Sequence, residues 1–282
     1  ETLEILTTSD QADYWIDPAG SFWRATSFID GTESSDIVRN IEHAREVGFA
    51  LGMFHSLLSN LPCEKLGDTL EGFHVTPVYL ERYDRICFGK PPPLSARVRF
   101  CMDFIERRRG IVGVLEEARA VGKLHSRPVH GDPKVNNILM DKVTGLAVAV
   151  VDLDTVKPGL IHHDIGDCLR SCCNPLGEET EDWESVQFEP DLCRAILKGY
   201  FSVARGFITE EDVRYMFDAI RLISFELGLR FFTDYLAGNL YFKVGYGEQN
   251  LARALVQFQL AESIEYLEIP VRAIIRETGK TA

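Results

Sequence analysis

The stretch "VHGDPKVNNILMDKVTGLAVAVVDLDTVKPG" spans residues 129–159 and decides the fold. It contains two apolar runs, at 137–141 and 146–154, which a short polar loop ending in Gly145 separates. Two strand-length runs joined by such a loop predict a β-hairpin. The hairpin would place the beginning of the first strand beside the end of the second.

Polar side chains gather at that open end of the predicted hairpin. Asn137 begins the first strand, Asp152 lies near the end of the second, and Asp132 lies in the loop that precedes the hairpin. An Asp and an Asn supply the hard oxygen ligands that Mg²⁺ prefers, and the ion keeps its other positions for water and phosphates. A further carboxylate that is free of the metal can accept a proton from a hydroxyl, so the set suits phosphoryl transfer.

The spacing makes this interpretation specific. His130, Asp132 and Asn137 have the H-x-D-x4-N spacing of a kinase catalytic loop. Lys134 provides a cation near the transferred phosphate, and Asp152 stands where the metal-binding Asp of that pattern belongs. The motif alone would be weak, because an Asp in a loop also caps turns. The hairpin and the second Asp that follow it favour catalysis.

Length and composition are those of a globular protein. The chain has 282 residues, enough for one large domain or two lobes, and 45% of them are hydrophobic. Its net charge of −13 would repel phosphate backbones, so we expect no nucleic-acid partner. No apolar run approaches the roughly 20 residues that span a bilayer, so we expect no membrane association. The seven irregularly spaced cysteines favour reduced thiols and a cytoplasmic location.

The rest of the chain is a short β segment followed mainly by helices. Apolar residues alternate at 2–8 and at 21–29, on both sides of a turn signal, which predicts two antiparallel strands. The aromatic residues Phe22, Trp23 and Phe28 of this segment are expected in the core. Helical periodicity recurs at 36–58, 77–87, 96–124 (two helices), 191–204, 210–231 and 249–267, and the prolines at 91–93 separate the second and third of these segments.

Three segments, "HGDPKVNNIL", "VVDLDTVKPG" and "DIGDCLRS", together resemble the aminoglycoside phosphotransferase and choline kinase superfamily. With "SFWRATSFIDGT" and "GLRFFTDYLAGNLYFKV", the chain is most similar to bacterial N-acetylhexosamine 1-kinases. The resemblance implies an α+β, protein-kinase-like bilobal fold. An incomplete small β lobe with the hinge would occupy 1–31, and a large, mostly helical lobe with the catalytic hairpin would occupy 32–282.

The resemblance also implies roles for individual residues. Asp132 would be the catalytic base, and Lys134 would contact the γ-phosphate of ATP. Asn137 and Asp152 would hold Mg²⁺, and Asp164 would be a buried clamp on the catalytic loop. The hinge whose backbone meets adenine corresponds to Ser27, Phe28, Ile29 and Asp30.

Arg230 and Tyr241 match the positions that contact the sugar in the kinases that the chain resembles. A guanidinium and a phenol can both hydrogen-bond sugar hydroxyls or an acetamido oxygen. Arg230 could instead pair with Glu226 or Asp234, each one helical turn away, and Tyr241 could be an ordinary core residue.

Other polar residues near the motif have more than one interpretation. Asp154 is either a second metal contact or a solvent-facing strand end. Asp167 and Arg170 either lie at the substrate pocket or pair on one helix face. His130 is expected to hold the loop by hydrogen bonds rather than to move protons.

The chain departs from the superfamily pattern ahead of the hinge. In that pattern a Gly-rich loop, a strand Lys and a helix Glu precede the hinge, whereas Lys65 is the first lysine of this chain. We therefore expect a fragment that lacks the first strands and a helix of the small lobe. The alternative is a protein without ordinary ATP clamping.

Together these observations predict a kinase that uses Mg²⁺ and ATP to phosphorylate a sugar, at the anomeric hydroxyl of an N-acetylhexosamine. An amino alcohol such as choline, or an aminoglycoside, is the alternative acceptor. A non-catalytic, kinase-like binding module is the alternative from another functional class. The oligomeric state stays open.

Overall fold

The structure, a computed structural model, describes residues 1–89 and 95–280. A small β part precedes a large helical part, as the sequence predicts. The prolines at 91–93, which are predicted to separate two helices, lie outside the described residues. The helices of the described part are α1 (Ile41–Leu58), α2 (Thr76–Gly89), α3 (Ala96–Arg108), α4 (Val114–Ala120), α5 (Ile161–Cys172), α6 (Pro190–Ala204), α7 (Glu210–Ala237), α8 (Gln249–Tyr266) and α9 (Glu268–Lys280).

The N-terminal segment forms one long hairpin, which we call the N-terminal hairpin. Strand β1 (Ile5–Leu6) pairs with β4 (Ala25–Thr26), and β2 (Trp15–Ile16) pairs with β3 (Phe22–Trp23), both antiparallel. The predicted antiparallel pairing is present, but the ladders are only two residues long. The turn between β2 and β3 closes on Asp17, whose side chain accepts the backbone N–H groups of Ala19 and Ser21 at 2.9 and 2.8 Å.

The expectation that Phe22, Trp23 and Phe28 are core residues is wrong. Their exposed fractions are 61%, 58% and 83%. The physical reason is the lack of a second layer, because no other element of the described residues covers the apolar faces of the N-terminal hairpin. Alternation in sequence indicates a strand, but it does not say whether anything packs on the strand.

The hairpin predicted from the runs at 137–141 and 146–154, which we call the central hairpin, is present, with shorter strands than the sequence suggests. Strand β5 (Thr32–Glu33) pairs with β7 (Ile138–Asp141), which pairs with β8 (Ala147–Val150), all antiparallel, and the β7–β8 register shifts between Leu139 and Met140. A second ladder, which periodicity does not reveal, joins β6 (Arg127–Val129) to β9 (Lys157–Gly159). These ladders hold the two ends of the quoted stretch together.

Several helix boundaries follow from caps. Helix α1 begins at Ile41 rather than near residue 36, because the Asn40 side chain accepts the His43 backbone N–H and so caps the helix there. Helix α7 continues to Ala237 and ends at Gly238, which has a left-handed backbone with φ of 95°. Helix α9 extends beyond the predicted helical segments.

Two glycines allow α1 and α6 to pack closely. A Cβ on Gly48 would lie 1.9 Å from the Ile196 carbonyl oxygen, and one on Gly199 would lie 2.0 Å from that of Arg45. Any larger residue at either position would therefore push the two helices apart. The close packing brings His55, near the end of α1, underneath the loop that precedes β7.

All seven cysteines are free thiols, in line with the prediction of reduced cysteines. Within residues 1–89 and 95–280, no helix combines the length and the apolar character that crossing a membrane requires.

Candidate active site

The central hairpin brings Asn137 and Asp152 together, as its pairing predicts. The backbone N–H of Val151, next to Asp152, donates to the Asn137 carbonyl at 2.9 Å. The Asn137 amide nitrogen donates to the backbone carbonyl of Asp132 at 2.8 Å and contacts its carboxylate at 3.3 Å. Asp152 has a left-handed backbone, with φ of 63°. The three predicted polar residues therefore converge at one end of the hairpin.

The carboxylate of Asp132 sits in a charged environment. Lys134 donates to it at 2.7 Å. Burial raises the pKa of Asp132, and the neighbouring Asp167 carboxylate raises it further, while Lys134 and Arg170 oppose the rise. Burial would lower the pKa of Lys134, but Asp132, and then Asp167 and Asp152, hold it above its ordinary value. Lys134 thus lies within electrostatic reach of three carboxylates.

Asp164 clamps the loop at 130–137, which corresponds to the catalytic loop of the kinase-like pattern, from below, where that pattern predicts it. It has no exposed surface, and it accepts the backbone N–H groups of His130 at 2.6 Å and Gly131 at 2.8 Å. His55 of α1 contacts the same carboxylate at 2.8 Å. Burial would raise the pKa of Asp164, but the hydrogen bond and charge of His55, then His130, lower it overall. The clamp is therefore a carboxylate.

His130 makes the structural hydrogen bonds expected of it. Its Nε2 lies 2.9 Å from the Val151 carbonyl, and its Nδ1 accepts the Asp132 backbone N–H at 3.2 Å. The Thr155 hydroxyl donates to the His130 carbonyl at 2.7 Å. These bonds tie the catalytic loop to the strand end that carries Asp152.

Asp167 and Arg170 pair on one face of α5, which is one of the two interpretations that the sequence allows. Arg170 donates to Asp167 at 2.8 Å, three residues away on α5, and to Glu178 at 3.1 Å. The second carboxylate oxygen of Asp167 is buried and has no hydrogen-bond partner among the described residues. Because Asp167 also raises the pKa of Asp132, this ion pair borders the site.

Arg230 and Tyr241 line one cavity of ≈ 190 Å³, which we call the Arg230 cavity. The Arg230 guanidinium lies 5.0 Å from the ring centroids of both Phe73 and Tyr79 and 5.6 Å from that of Phe242. Burial raises the pKa of Tyr79 to about 12, so its phenol is a neutral donor. The cavity therefore combines a cation with aromatic walls.

Glu226 rather than Asp234 is the helix partner of Arg230. The Glu226 carboxylate lies 3.9 Å from the guanidinium. Asp234 instead accepts the backbone N–H groups of Leu240, Tyr241 and Phe242 at 2.9–3.0 Å. That set of bonds fixes the loop after α7, and it holds Tyr241 at the cavity with 63% of its surface exposed. Tyr241 is therefore not an ordinary core residue.

Sequence reasoning missed a buried polar group between the Arg230 cavity and the catalytic loop. His74 contacts the Glu226 carboxylate and the Gly131 carbonyl, both at 2.9 Å. Thr76 donates to the other Glu226 oxygen at 2.6 Å. These partners are far apart in the sequence, and no local motif marks them.

The remaining predicted residues connect the two parts of the molecule. Ser27, Phe28, Ile29 and Asp30 follow β4 and lead into β5. Ser27 is held by the N-terminal hairpin through its backbone N–H, which donates to the Glu4 carbonyl at 2.8 Å. Asp154 pairs with Arg24 at 2.5 Å and is 62% exposed, so it faces solvent.

Within residues 1–89 and 95–280, no group of three or more His, Cys, Asp or Glu side chains could hold a metal ion.

A small sheet-containing lobe, a large helical lobe and this loop before a hairpin define a kinase-like phosphotransferase that acts on hydroxyl acceptors. The model of the "Phosphotransferase enzyme family" matches residues 4–185, and the chain belongs to that family. The prediction of the superfamily and of an enzyme of this class is thereby confirmed.

Solved structures of that superfamily have the same fold. An aminoglycoside phosphotransferase from Alicyclobacillus acidocaldarius subsp. acidocaldarius DSM 446 is 16% identical, with a TM-score of 0.64 over 97% of this chain and 77% of its own. A choline/ethanolamine kinase family protein from Mesorhizobium loti is 15% identical, with a TM-score of 0.56 over 99% and 78%. A choline kinase from Cryptosporidium parvum Iowa II is 14% identical, with a TM-score of 0.57 over 88% and 72%. These likenesses confirm the predicted α+β, bilobal kinase-like fold.

Proposed function

We propose that this phosphotransferase transfers the terminal phosphoryl group of ATP to the anomeric hydroxyl of an N-acetylhexosamine. The environment of Asp132 carries the proposal. Its carboxylate lies in the loop beside Asn137, pairs with Lys134 at 2.7 Å, and has a pKa that burial and then Asp167 raise. A carboxylate with a raised pKa is a stronger base toward a hydroxyl proton.

In this proposal the chain positions the reactants and balances their charge. Asp132 orients the acceptor hydroxyl and takes its proton. Lys134 offsets the negative charge of the transferred phosphoryl group. Positioning and charge neutralisation account for most of the catalysis in phosphoryl transfer, so few residues are needed. The hinge role of Ser27, Phe28, Ile29 and Asp30 toward adenine is part of the same proposal.

The donor set at the hairpin end suits Mg²⁺. The Asn137 amide nitrogen donates to the Asp132 carbonyl, which leaves the amide oxygen available as a metal ligand. Asp152 has a left-handed backbone, a conformation that is costly for a residue other than glycine and that often occurs at functional sites. Mg²⁺ needs only one or two protein oxygens, so Asn137 and Asp152 would hold it. Bound Mg²⁺ would neutralise charge on the phosphates.

The Arg230 cavity supports a sugar acceptor. Three aromatic rings surround the Arg230 guanidinium, and an ammonium substrate such as choline would need that same aromatic surface. The ammonium group would also be repelled by the positive charge of Arg230. A neutral sugar can instead accept from Arg230 and exchange hydrogen bonds with the Tyr241 hydroxyl. The cavity therefore favours the sugar over a cationic acceptor.

The test is ADP release by the purified protein with Mg²⁺ and ATP. N-acetylglucosamine, N-acetylgalactosamine, choline and an aminoglycoside are compared as acceptors. We expect release with an N-acetylhexosamine only, and a loss of about 10²–10⁴-fold in Asp132→Asn. Asp103→Asn makes the same chemical change on the exposed face of α3 and is expected to keep full activity. Equal turnover by Asp132→Asn would exclude the proposed base, and release with choline alone would exclude the sugar.

Arg230→Lys tests the acceptor site separately. Lysine keeps the charge but loses the planar guanidinium, which lies among the aromatic rings of the cavity and can donate in two directions. We expect the KM for the sugar to rise about 10-fold or more, the value of one charge-assisted hydrogen bond, with a smaller change in kcat. Arg214→Lys on the exposed side of the same helix is the control. An unchanged KM would remove Arg230 from the acceptor site.

A further inference from the structure

His74 is buried between the Arg230 cavity and the catalytic loop. Its Nδ1 lies 2.9 Å from the Glu226 carboxylate, and its Nε2 lies 2.9 Å from the Gly131 carbonyl. A carboxylate and a backbone carbonyl are both acceptors, whereas a neutral imidazole has a single N–H. With Glu226 ionised, both hydrogen bonds can form only if the His74 ring carries two protons. Burial would raise the pKa of Glu226, but His74, Arg230 and Thr76 lower it overall, so Glu226 is a carboxylate. The two contacts therefore favour an imidazolium.

The charges around His74 agree with that state. Burial disfavours a charged ring, but the Glu226 carboxylate outweighs it and holds the pKa of His74 above its ordinary value; Arg230 opposes this and Asp167 adds to it. Burial, and then the charge of His74, keep the pKa of His163 well below its ordinary value, and the two rings lie 5.3 Å apart. Arg119 and Lys157 line the cavity beside His74, and Lys157 is paired with Asp68 at 2.6 Å.

The contact with Gly131 reaches the reacting residue. The Gly131 carbonyl belongs to the peptide bond that leads directly into Asp132. The N–H of Gly131 donates to Asp164, and its carbonyl accepts from His74, so both polar groups of this glycine are held by buried charged side chains. His74 also has a left-handed backbone with φ of 61°, which costs energy outside glycine.

We infer that His74 is a buried imidazolium that positions the catalytic loop, fixing the peptide before Asp132 and linking it through Glu226 to Arg230 in the acceptor site. The effect on catalysis rests on the proposed role of Asp132. His74 keeps both bonds while its ring is charged, so the positioning is present at low pH and is lost as pH rises through its raised pKa. We expect kcat to fall on the alkaline side, with little change in the KM for the sugar.

The first test is independent of activity. In protein labelled with ¹⁵N-histidine, the two ring nitrogens of His74 should both show the imidazolium signature at neutral pH. His162 is the internal contrast, since burial lowers its pKa to about 4 and its Nε2 lies 2.9 Å from the Asp212 carbonyl, which gives one neutral tautomer. Through-bond assignment on the unmodified protein avoids any need for a folded variant. A neutral ring at His74 would overturn the inference.

The second test is kinetic. His74→Gln keeps one N–H donor for Gly131 but cannot bridge to Glu226 as a cation. We expect kcat to fall about 10–100-fold, the cost of a misplaced reacting group, and the alkaline decline to disappear. His162→Gln changes a buried histidine that contacts the Asp212 carbonyl rather than the loop, and it should keep both kcat and the pH profile. An unchanged kcat and an unchanged pH profile in His74→Gln would contradict the positioning role. If no variant and no wild-type preparation turns over the sugar, the proposed function fails while the NMR result still decides the state of His74.

Discussion

The catalytic segment at 129–159 and the N-terminal hairpin are both short antiparallel structures with a tight polar turn, yet only one is fixed to the core. Beneath the catalytic segment lie Asp164 and His74, which are buried and bonded to its backbone. The N-terminal hairpin has two-residue ladders and exposed apolar side chains. Strand pairing occurs in both regions, so the difference is that buried side chains of the large lobe also anchor the catalytic segment.

Asp164 and Asp17 accept hydrogen bonds from the same kinds of donor, but they differ in burial. Asp164 accepts from two backbone N–H groups and from His55. Asp17, in the N-terminal hairpin, accepts from two backbone N–H groups and from the Trp23 indole at 3.0 Å. The donors are alike in number and kind, but Asp164 is fully buried and Asp17 is in contact with water.

Among variants of the residues that hold these two regions, the largest expected loss of stability is that of Asp164→Asn. The new amide keeps one acceptor oxygen, but its NH2 group would face N–H donors from which it cannot accept a hydrogen bond, so at least one buried donor would lose its partner. We expect the free energy of unfolding to fall by about 3 kcal/mol, measured by urea denaturation. Asp17→Asn should leave the transition midpoint nearly unchanged, because water replaces the lost acceptor. Equal effects in the two variants would contradict the role given to burial.

The same carboxylate gives a prediction for pH. The folded-state pKa of Asp164 lies below its ordinary value of 3.8, so its contribution to stability is present above pH 3.8 and is lost as pH falls through the folded pKa. The stability difference between the unmodified protein and Asp164→Asn should therefore narrow in acid. Urea denaturation between neutral pH and pH 3 measures it. A difference that is constant with pH would assign the effect to packing instead.

Substitution of two glycines with the same backbone conformation separates the cost of backbone strain from the cost of close packing. Gly131 and Gly20 have φ of 86° and 87°, but only a Cβ on Gly131 would meet another atom, the Thr155 carbonyl oxygen at 2.8 Å. Gly20→Ala should cost about 1–2 kcal/mol from the left-handed backbone alone. Gly131→Ala should cost at least as much and also lower kcat, because the loop must shift. If Gly131→Ala keeps full activity, the loop is less tightly held than its contacts imply.

The sequence predicts the catalytic segment well because its information is local. Hairpin pairing and motif spacing are enough to bring Asp132, Asn137 and Asp152 together. The Asp164 clamp follows from the kinase-like pattern. Arg230 and Tyr241 reach one cavity, as the resemblance implies, although their roles toward a substrate remain proposals.

The long-range partners could not be predicted in the same way. His55 and His74 meet the loop only because helix packing brings distant segments beneath it, and no spacing rule describes such contacts. The exposure of Trp23 and Phe28 could not be predicted either, because periodicity shows which side chains share a face and not whether another element covers that face. Tertiary packing decides both.

The smallest expected effect tests the exposed side of the comparison. Phe28 is 83% exposed, so Phe28→Ala removes little buried area and should change the free energy of unfolding by less than about 0.5 kcal/mol. Phe104→Ala makes the same substitution at a fully buried ring on α3, where the cavity left behind should cost about 3–5 kcal/mol. Urea denaturation of the two variants gives the comparison directly. A loss at Phe28 that approaches the loss at Phe104 would mean that the apolar face of the N-terminal hairpin is covered in solution.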